Sequence, residues 1–211
     1  MNGREQQTKL IIEALNRHSN VFIYGTTGSG KSFTISSLLS ESCMIDCSIY
    51  RTTAAIISQI LIKNGIPTHR IITRDWLIET LTNILERRNI TVVLDNAERI
   101  DRHSKSDVIF SLCSLPKKPA LIVIAKNKSF LRKLDRRAAS RFFPAIVEFK
   151  PYSAGELYDI IKNNANDVAT ALIAWEASKT GDCRLAMKMV ERFHGTDDVK
   201  DMLNLMEGIR L

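Results

Sequence analysis

The sequence predicts an α/β protein with a five-stranded parallel sheet flanked by helices, followed by a small all-α domain. Two observations predict this architecture. Five short apolar segments alternate with helical segments up to residue 150, a pattern typical of a parallel sheet covered on both faces. After Lys150 and Pro151 the strand pattern stops and only helical segments follow. We therefore expect two domains, at residues 1–150 and 151–211.

The individual elements follow from local periodicity. Strands are predicted where short apolar runs are bounded by polar or turn residues, at 20–24, 43–48, 90–94, 120–125 and 145–149. Helices are predicted where apolar residues recur at helical spacing, at 5–17, 31–39, 52–63, 74–87, 105–115 and 130–139. Four more helices are predicted in the second domain, at 153–163, 168–179, 182–194 and 197–208.

A glycine-rich segment reading GTTGSGKS, which we call the phosphate loop, lies between the first strand and the second helix. It consists of Gly25, Thr26, Thr27, Gly28, Ser29, Gly30, Lys31 and Ser32. The glycines allow positive φ, so that successive N–H groups can face a polyphosphate at the helix N-terminus. Lys31 supplies a mobile positive charge for the outer phosphates, and the Ser32 hydroxyl is placed to coordinate Mg²⁺. The segment predicts a nucleotide site.

A second chemical motif is the apolar strand that ends in Asp95. At the carboxyl edge of a parallel sheet this carboxylate would face the phosphates and orient the Mg²⁺ shell through water. Many P-loop ATPases carry Glu at the next position, where it orients or polarises the attacking water. This chain has Asn96, which is no proton acceptor. Glu98 is a candidate to substitute for it.

Charge suggests an anionic partner. The net charge is +7, and the segment from Lys126 to Arg141 contains seven basic residues and one acidic residue, Asp135. Three interpretations remain open for this segment: a solvated helix face, arginines that face a nucleotide on a neighbouring subunit, and a contact with nucleic-acid phosphates. The segment 65–70, continuing through Arg74 and Trp76, is a second candidate for DNA contact, against the simpler interpretation of a core tryptophan with solvated arginines.

Other classes of protein are disfavoured. The longest apolar runs are too short to cross a bilayer, so no membrane association is expected. The N-terminal MNGREQQTK lacks the apolar core of a secretory signal, which predicts an intracellular protein. The four cysteines form no CxxC pair and the four histidines are scattered, so neither a structural zinc site nor a disulfide framework is expected.

Six stretches of the chain resemble, in order, the AAA+ module of the replication-initiator clade. They are GRE at 3–5, FIYGTTGSGKS at 22–32, VVLDNAERI at 92–100, LDRRAASRF at 134–142, VEFKPYSAGEL at 147–157 and GDCRLAM at 181–187. The clade comprises subunits of the eukaryotic origin recognition complex, the related cell-division-control loading factor and archaeal relatives. The last two stretches distinguish it from P-loop proteins at large.

The resemblance implies roles for residues of the nucleotide site. Lys31, Ser32 and Asp95 match the Walker A and Walker B groups that bind ATP and Mg²⁺. Arg184 matches the sensor 2 arginine of the lid, which reaches the γ-phosphate. The simpler alternative is an ordinary arginine in the first turn of a helix capped by Asp182.

The resemblance also implies roles for residues around this site. Arg141 matches the arginine finger that completes a neighbouring subunit's site, with Arg137 as the alternative. Asn127 matches the sensor 1 position, with Lys126 as the alternative. Family members usually continue into a winged-helix DNA-binding domain, whereas this chain ends at Leu211. We therefore expect either a reduced protein or one that depends on partners for much of its DNA contact.

The implied function is an ATP-binding subunit of an origin-recognition or helicase-loading complex. With Asn96 at the hydrolytic position, ATP would act as an assembly switch with weak or no hydrolysis. The expected partners are other AAA+ initiator subunits and double-stranded DNA. Two alternatives are an active clamp-loader-type, DNA-dependent ATPase that uses Glu98 and, with less support, a small-molecule P-loop kinase. The LDNAE stretch favours a eukaryotic, nuclear protein over an archaeal one of the cytoplasm or nucleoid.

Overall fold

A computed structural model describes residues 3–68, 73–163 and 167–193 of the chain. It divides into two compact units. The sheet unit consists of Gln6–Gly25 and Lys31–Glu148, and the helical unit consists of Met1–Glu5, Thr26–Gly30 and Phe149–Leu211. The middle of the phosphate loop therefore groups with the helical unit, although its two ends belong to the sheet unit.

The five predicted strands are all present. They are β1 (Val21–Gly25), β2 (Cys43–Asp46), β3 (Thr91–Asp95), β4 (Ala120–Ala125) and β5 (Ala145–Phe149), in the order β2-β3-β4-β1-β5. The pairings of β2 with β3, β3 with β4 and β4 with β1 are parallel. The register sets Asp46, the last residue of β2, opposite Asp95, the last residue of β3. The α/β fold with a parallel sheet is confirmed.

Seven helices accompany the strands in the described part of the chain up to residue 148. They are α1 (Glu5–Asn16), α2 (Lys31–Leu38), α3 (Thr53–Lys63), α4 (Arg74–Arg87), α5 (Arg102–Cys113), α6 (Ser129–Arg132) and α7 (Arg136–Phe142). Threonine side chains cap two of these helices, Thr52 for α3 and Thr73 for α4. On α4 the apolar residues at helical spacing are buried, namely Leu77, Leu81, Ile84 and Leu85.

Two predicted elements are wrong in detail. The single helix predicted at 130–139 is two helices, α6 and α7, because the Asp135 side chain accepts a hydrogen bond from Ala138 N–H and starts a new helix there. The second strand ends at Asp46 rather than at residue 48. The carboxylate of Asp46 accepts the Ser48 N–H at 2.9 Å, which turns the chain out of the sheet.

The helical unit contains α8 (Ala154–Ile161), α9 (Asp167–Ser178) and α10 (Cys183–Phe193), near their predicted positions. Ser153 and Glu156 form a capping box at the start of α8. The three helices share an apolar core that includes Leu157, Ile173 and Met189. The helix predicted at 197–208 lies outside the described residues, as do positions 69–72 of the second candidate DNA-contact segment. No helix within the described ranges is long and apolar enough to cross a membrane.

Candidate nucleotide-binding site

The sheet unit brings together the residues predicted to bind Mg²⁺. Ser32 lies in the first turn of α2 and Asp95 ends β3, and the Ser32 hydroxyl forms a hydrogen bond with the Asp95 carboxylate. Beside Ser32, the Lys31 ammonium donates to the carbonyl oxygen of Gly25 at 2.8 Å. The Ser32 hydroxyl and the Asp95 carboxylate supply hard oxygen atoms, the type of ligand that Mg²⁺ prefers. Ser32 and Asp95 are therefore the residues that could hold a divalent cation.

The charge on Asp95 is costly in the absence of a cation. Burial raises the pKa of its carboxyl group above the ordinary value, and the negative charge of Asp46 adds to that rise. Hydrogen bonds from Ser32 and from the Asn96 N–H oppose the rise, as does the positive charge of Lys31. A divalent cation beside Asp95 would favour its ionised form further.

Asn96, at the position expected to hold a glutamate, contacts the neighbouring strand. Its backbone is left-handed, with φ 54° and ψ 39°, a conformation that asparagine tolerates better than most residues. Its side-chain amide donates to Oδ1 of Asp46 at 3.0 Å. Sequence reasoning missed Asp46. The available signal was that β2, like β3, ends in an aspartate, and parallel neighbours end at the same sheet edge.

Glu98 lies in a 3-10 turn, Ala97–Arg99, directly after Asn96. One oxygen of its carboxylate, Oε2, accepts the main-chain N–H of Lys126 at 3.3 Å. The carboxylate thereby links the turn after β3 to the residue after β4. Its other oxygen, Oε1, is buried.

The two candidates for sensor 1 are both exposed. The side-chain oxygen of Asn127 accepts hydrogen bonds from the backbone N–H of Ser129, at 3.1 Å, and from the Ser129 hydroxyl. This oxygen therefore closes a turn just before α6. Lys126 contributes its main-chain N–H to Glu98. A nucleotide-sensing role for either residue stays a prediction.

The two candidates for an arginine finger differ in their surroundings. Arg141 is exposed on α7, whereas the guanidinium of Arg137 lies over the ring of Phe110, 5.2 Å from its centroid. In the described part of the chain, no hydrogen bond or ion pair joins Arg141 to the pair formed by Ser32 and Asp95. The positive charge of Arg141 instead acts on the Cys113 thiol, and its role as an arginine finger stays a prediction.

In the helical unit, the middle of the phosphate loop packs against side chains that follow Pro151. Gly28 and Gly30 have φ of 74° and 87°, as the sequence predicted. A Cβ atom on Gly28 would overlap the Asp182 carboxylate, and one on Gly30 would overlap the Tyr152 hydroxyl. These positions thus require glycine for close approach as well as for backbone conformation. Sequence reasoning missed Tyr152 and gave Asp182 only a capping role.

The other loop residues differ in exposure. Thr26 and Thr27 are exposed, whereas Ser29 is fully buried. The Ser29 hydroxyl donates to the carbonyl oxygen of Thr26 at 2.8 Å and closes the turn. The two exposed residues lie where the loop is open to solvent.

Arg184, the predicted sensor 2 residue, lies in the first turn of α10. Its backbone N–H donates to the Asp182 carboxylate at 2.8 Å, so the predicted cap is present. Its side chain is 65% exposed, with Nε 3.7 Å from the same carboxylate. The guanidinium is therefore accessible to an anion, and its contact with a γ-phosphate stays a prediction.

Arg4 fixes the aromatic residue that touches Gly30. It is 3% exposed, and its guanidinium lies 3.8 Å from the ring centroid of Tyr152. Nη2 also donates to the carbonyl oxygen of Lys150 at 2.7 Å. The sequence indicated Arg4 only as part of the GRE stretch, without a role.

Curated relatives match most of this chain. It is 28% identical to an ORC1-type DNA replication protein of Picrophilus torridus, over 89% of this chain and 54% of the relative. A protein of the same name from Thermococcus kodakarensis is 26% identical, over 82% of this chain and 50% of the relative. The chain thus spans about half the length of the curated relatives it matches. These relatives are archaeal, and they do not support the predicted nuclear location.

Solved structures share the fold, although no protein-family model matches the chain. Cdc6p from Pyrobaculum aerophilum has a TM-score of 0.77 at 22% identity, over 90% of this chain and 60% of that one. The Aeropyrum pernix ORC1 protein in complex with DNA has a TM-score of 0.79 at 19% identity, over 99% and 66%. The sequence relatives support the resemblance of this chain to the AAA+ replication-initiator clade, and the solved structures share its fold.

Proposed function

We propose that this chain binds ATP and Mg²⁺ as a subunit of an origin-recognition or helicase-loading assembly, with ATP as an assembly switch and little or no intrinsic hydrolysis. The observation that carries the proposal is the hydrogen bond between Ser32 and Asp95, next to Lys31. This contact supports a metal-binding role for Ser32 and Asp95, whereas the residue after Asp95, Asn96, offers an amide instead of a carboxylate.

The chemistry of the site supports Mg²⁺ as the cation. Mg²⁺ is usually held by one or two protein groups together with phosphate oxygens and water. Over the described residues, no group of three or more His, Cys, Asp and Glu side chains is arranged to hold a metal by itself. Ser32 and Asp95 would therefore bind the ion jointly with the nucleotide, and the ion would neutralise charge on the phosphates.

The contacts of the helical unit support the switch. The carbonyl oxygen of Gly28 accepts the N–H of Cys183, the first residue of α10. Phosphates held by the loop N–H groups would change the position of Gly28, and α10 would respond through this contact. Arg184, one residue further on, would add an attraction to the γ-phosphate. Nucleotide state would in this way set the position of the lid helix.

The expected partners are other AAA+ initiator subunits and double-stranded DNA. The basic residues between Lys126 and Arg141 are all exposed, and Arg141 would complete the nucleotide site of a neighbouring subunit. Two structural neighbours are an ORC1 protein in complex with DNA and a Drosophila ORC bound to DNA. If these residues contact DNA phosphates, the affinity for duplex DNA should fall steeply as salt rises. An affinity independent of salt would argue against such contacts.

ATP binding by the purified chain tests the proposal directly. Lys31→Ala should weaken ATP binding at least tenfold, about 1.4 kcal/mol, because the charge for the outer phosphates is lost. Lys117→Ala is the matched control, since Lys117 is exposed and donates to the carbonyl oxygen of Glu86. Titration calorimetry with ATP and Mg²⁺ measures both variants, and copurification from source cells identifies the partner subunits.

Three results would count against the proposal. Equal ATP affinity in Lys31→Ala and in the unmodified chain would contradict nucleotide binding by the phosphate loop. Brisk turnover by the chain alone, at about 10 per second, would contradict the switch. A solitary monomer in the source cells would contradict the assembly.

A further inference from the structure

Asp46 places a carboxylate beside the amide of Asn96. Asp46 ends β2 opposite Asp95 in the strand register, so the two carboxylates share one sheet edge. Oδ1 of Asp46 accepts the Asn96 amide at 3.0 Å and the Ser48 N–H at 2.9 Å. The acidic group that residue 96 lacks is therefore present one strand away, held by residue 96 itself.

Hydrogen bonds hold this carboxylate at the sheet edge. Burial of Asp46 opposes ionisation, but hydrogen bonds from Ser48 and Asn96 outweigh it and hold the pKa below the ordinary value. The negative charge of Asp46 also contributes to the raised pKa of Asp95, which places the two groups in one electrostatic neighbourhood.

Glu98 is less suited to the same task. Its Oε2 accepts the main-chain N–H of Lys126, and its Oε1 is buried without a hydrogen-bond partner among the described residues. The contact fixes the turn after β3 to the end of β4, which is a structural role. Among the described residues, Asp46 accepts hydrogen bonds from Ser48 and Asn96, which follow β2 and β3, and its side chain is half-buried.

We propose that Asp46 supplies the carboxylate that orients the attacking water in slow ATP hydrolysis, and that Asn96 is the residue that positions it. The inference rests on the proposed function, because it requires ATP in the phosphate loop. The water oxygen forms a bond to the γ-phosphorus while the bond from that phosphorus to the β,γ-bridging oxygen breaks. ADP leaves with the bonding electron pair. Asp46 accepts the water proton and releases it to solvent.

Single-turnover hydrolysis of radiolabelled ATP, with protein in excess, tests the inference. Asp46→Asn removes the charge but keeps an oxygen that can accept the Ser48 N–H. The double variant Asp46→Asn with Asn96→Asp moves the carboxylate to residue 96 and keeps an amide as its neighbour. Aspartate tolerates the left-handed backbone of that position. Asp75→Asn, at an exposed carboxyl group on α4, is the matched control.

The expected result is a tenfold or greater loss of the hydrolysis rate in Asp46→Asn, with ATP affinity changed less than threefold. The double variant should recover part of the rate, which a merely structural role of Asp46 would not produce. If Asp46→Asn fails to fold, Asp46→Ser provides the same comparison.

Several outcomes would overturn the assignment. They are an unchanged rate in Asp46→Asn, a parallel loss of ATP affinity, the absence of hydrolysis in the unmodified chain, and a double variant no faster than Asp46→Asn. In each of these cases the unmodified chain still binds ATP and the proposed function stands. A failure of the unmodified chain to bind ATP would instead defeat the proposed function itself.

Discussion

The main-chain N–H of Cys183 donates a hydrogen bond to the carbonyl oxygen of Gly28 at 3.1 Å. The Asp182 carboxylate lies against the same glycine. The first turn of α10 is therefore in direct contact with the phosphate loop. Asp182 and Cys183, which are distant from the loop in sequence, both contact Gly28. Substitutions on either side of this contact should affect both partners.

Replacing Gly28 with alanine should disrupt this contact. Its φ of 74° is unfavourable for alanine by about 1 to 2 kcal/mol, and the new Cβ would overlap Asp182. We expect weaker ATP binding and a lower free energy of unfolding, measured by calorimetry and by urea titration. Combining Gly28→Ala with Asp182→Ala should recover only part of the loss, because the backbone strain persists.

Gly155→Ala is the matched control for this experiment. Gly155 lies in α8 without a positive φ, and a Cβ there would meet no atom within 4 Å. Alanine should therefore stabilise the chain by about 0.4 to 1 kcal/mol. A Gly28→Ala variant with unchanged ATP affinity and stability would contradict the packing of this loop.

Replacing Arg4 with alanine should destabilise the helical unit. The change removes the cation–π contact with Tyr152 and the hydrogen bond to the carbonyl of Lys150, both at a buried site. These contacts predict a loss of about 2 to 4 kcal/mol in the free energy of unfolding. Urea titration followed by circular dichroism measures the loss. Arg17→Ala, at an exposed position, should change stability by less than about 0.5 kcal/mol.

Stability should decline at alkaline pH because of buried thiols. Burial, with the negative charges of Asp95, Asp46 and Glu98, raises the pKa of Cys47 to about 12. In the unfolded chain the thiol ionises near pH ~8.5, so above that pH the unfolded state binds fewer protons than the folded state. The contribution of the Cys47 thiol to the free energy of unfolding is therefore complete below pH ~8.5. Above that pH it falls by up to about 1.4 kcal/mol per pH unit, until the pH reaches the pKa of the folded state.

Urea titrations at about pH 7.5 and about pH 10 measure this decline. Cys47→Ala should show a smaller loss of stability between the two conditions than the unmodified chain. Equal losses would mean that Cys47 does not remain protonated in the folded state.

Local patterns predicted most of the fold and part of the site. The strands follow from buried apolar runs, and the phosphate loop and Asp95 follow from fixed spacing before a helix and after a strand. The break between α6 and α7 also had a local signal, the cap at Asp135, but the surrounding basic residues were interpreted as one helix.

The remaining features depend on contacts between distant residues. The pairing of Asn96 with Asp46 requires β2 to be the neighbour of β3 in a register that aligns their last residues. The packing of Gly28 against Asp182 joins two motifs more than a hundred residues apart in the sequence. Tertiary packing sets both contacts, so the aspartate that ends β2 becomes informative only once the strand order is known.

The left-handed backbone at Asn96 limits which amino acids this position can acquire. Glycine, asparagine and aspartate tolerate the conformation, whereas a longer side chain such as glutamate carries an energetic penalty of about 1 kcal/mol or more. A lineage that gained a carboxylate here would therefore reach it most easily as aspartate, through a single-residue change. That aspartate would meet the negative charge of Asp46, so the two positions should change together. If Asp46 orients the attacking water as proposed, the rate of hydrolysis depends on the joint identity of residues 46 and 96.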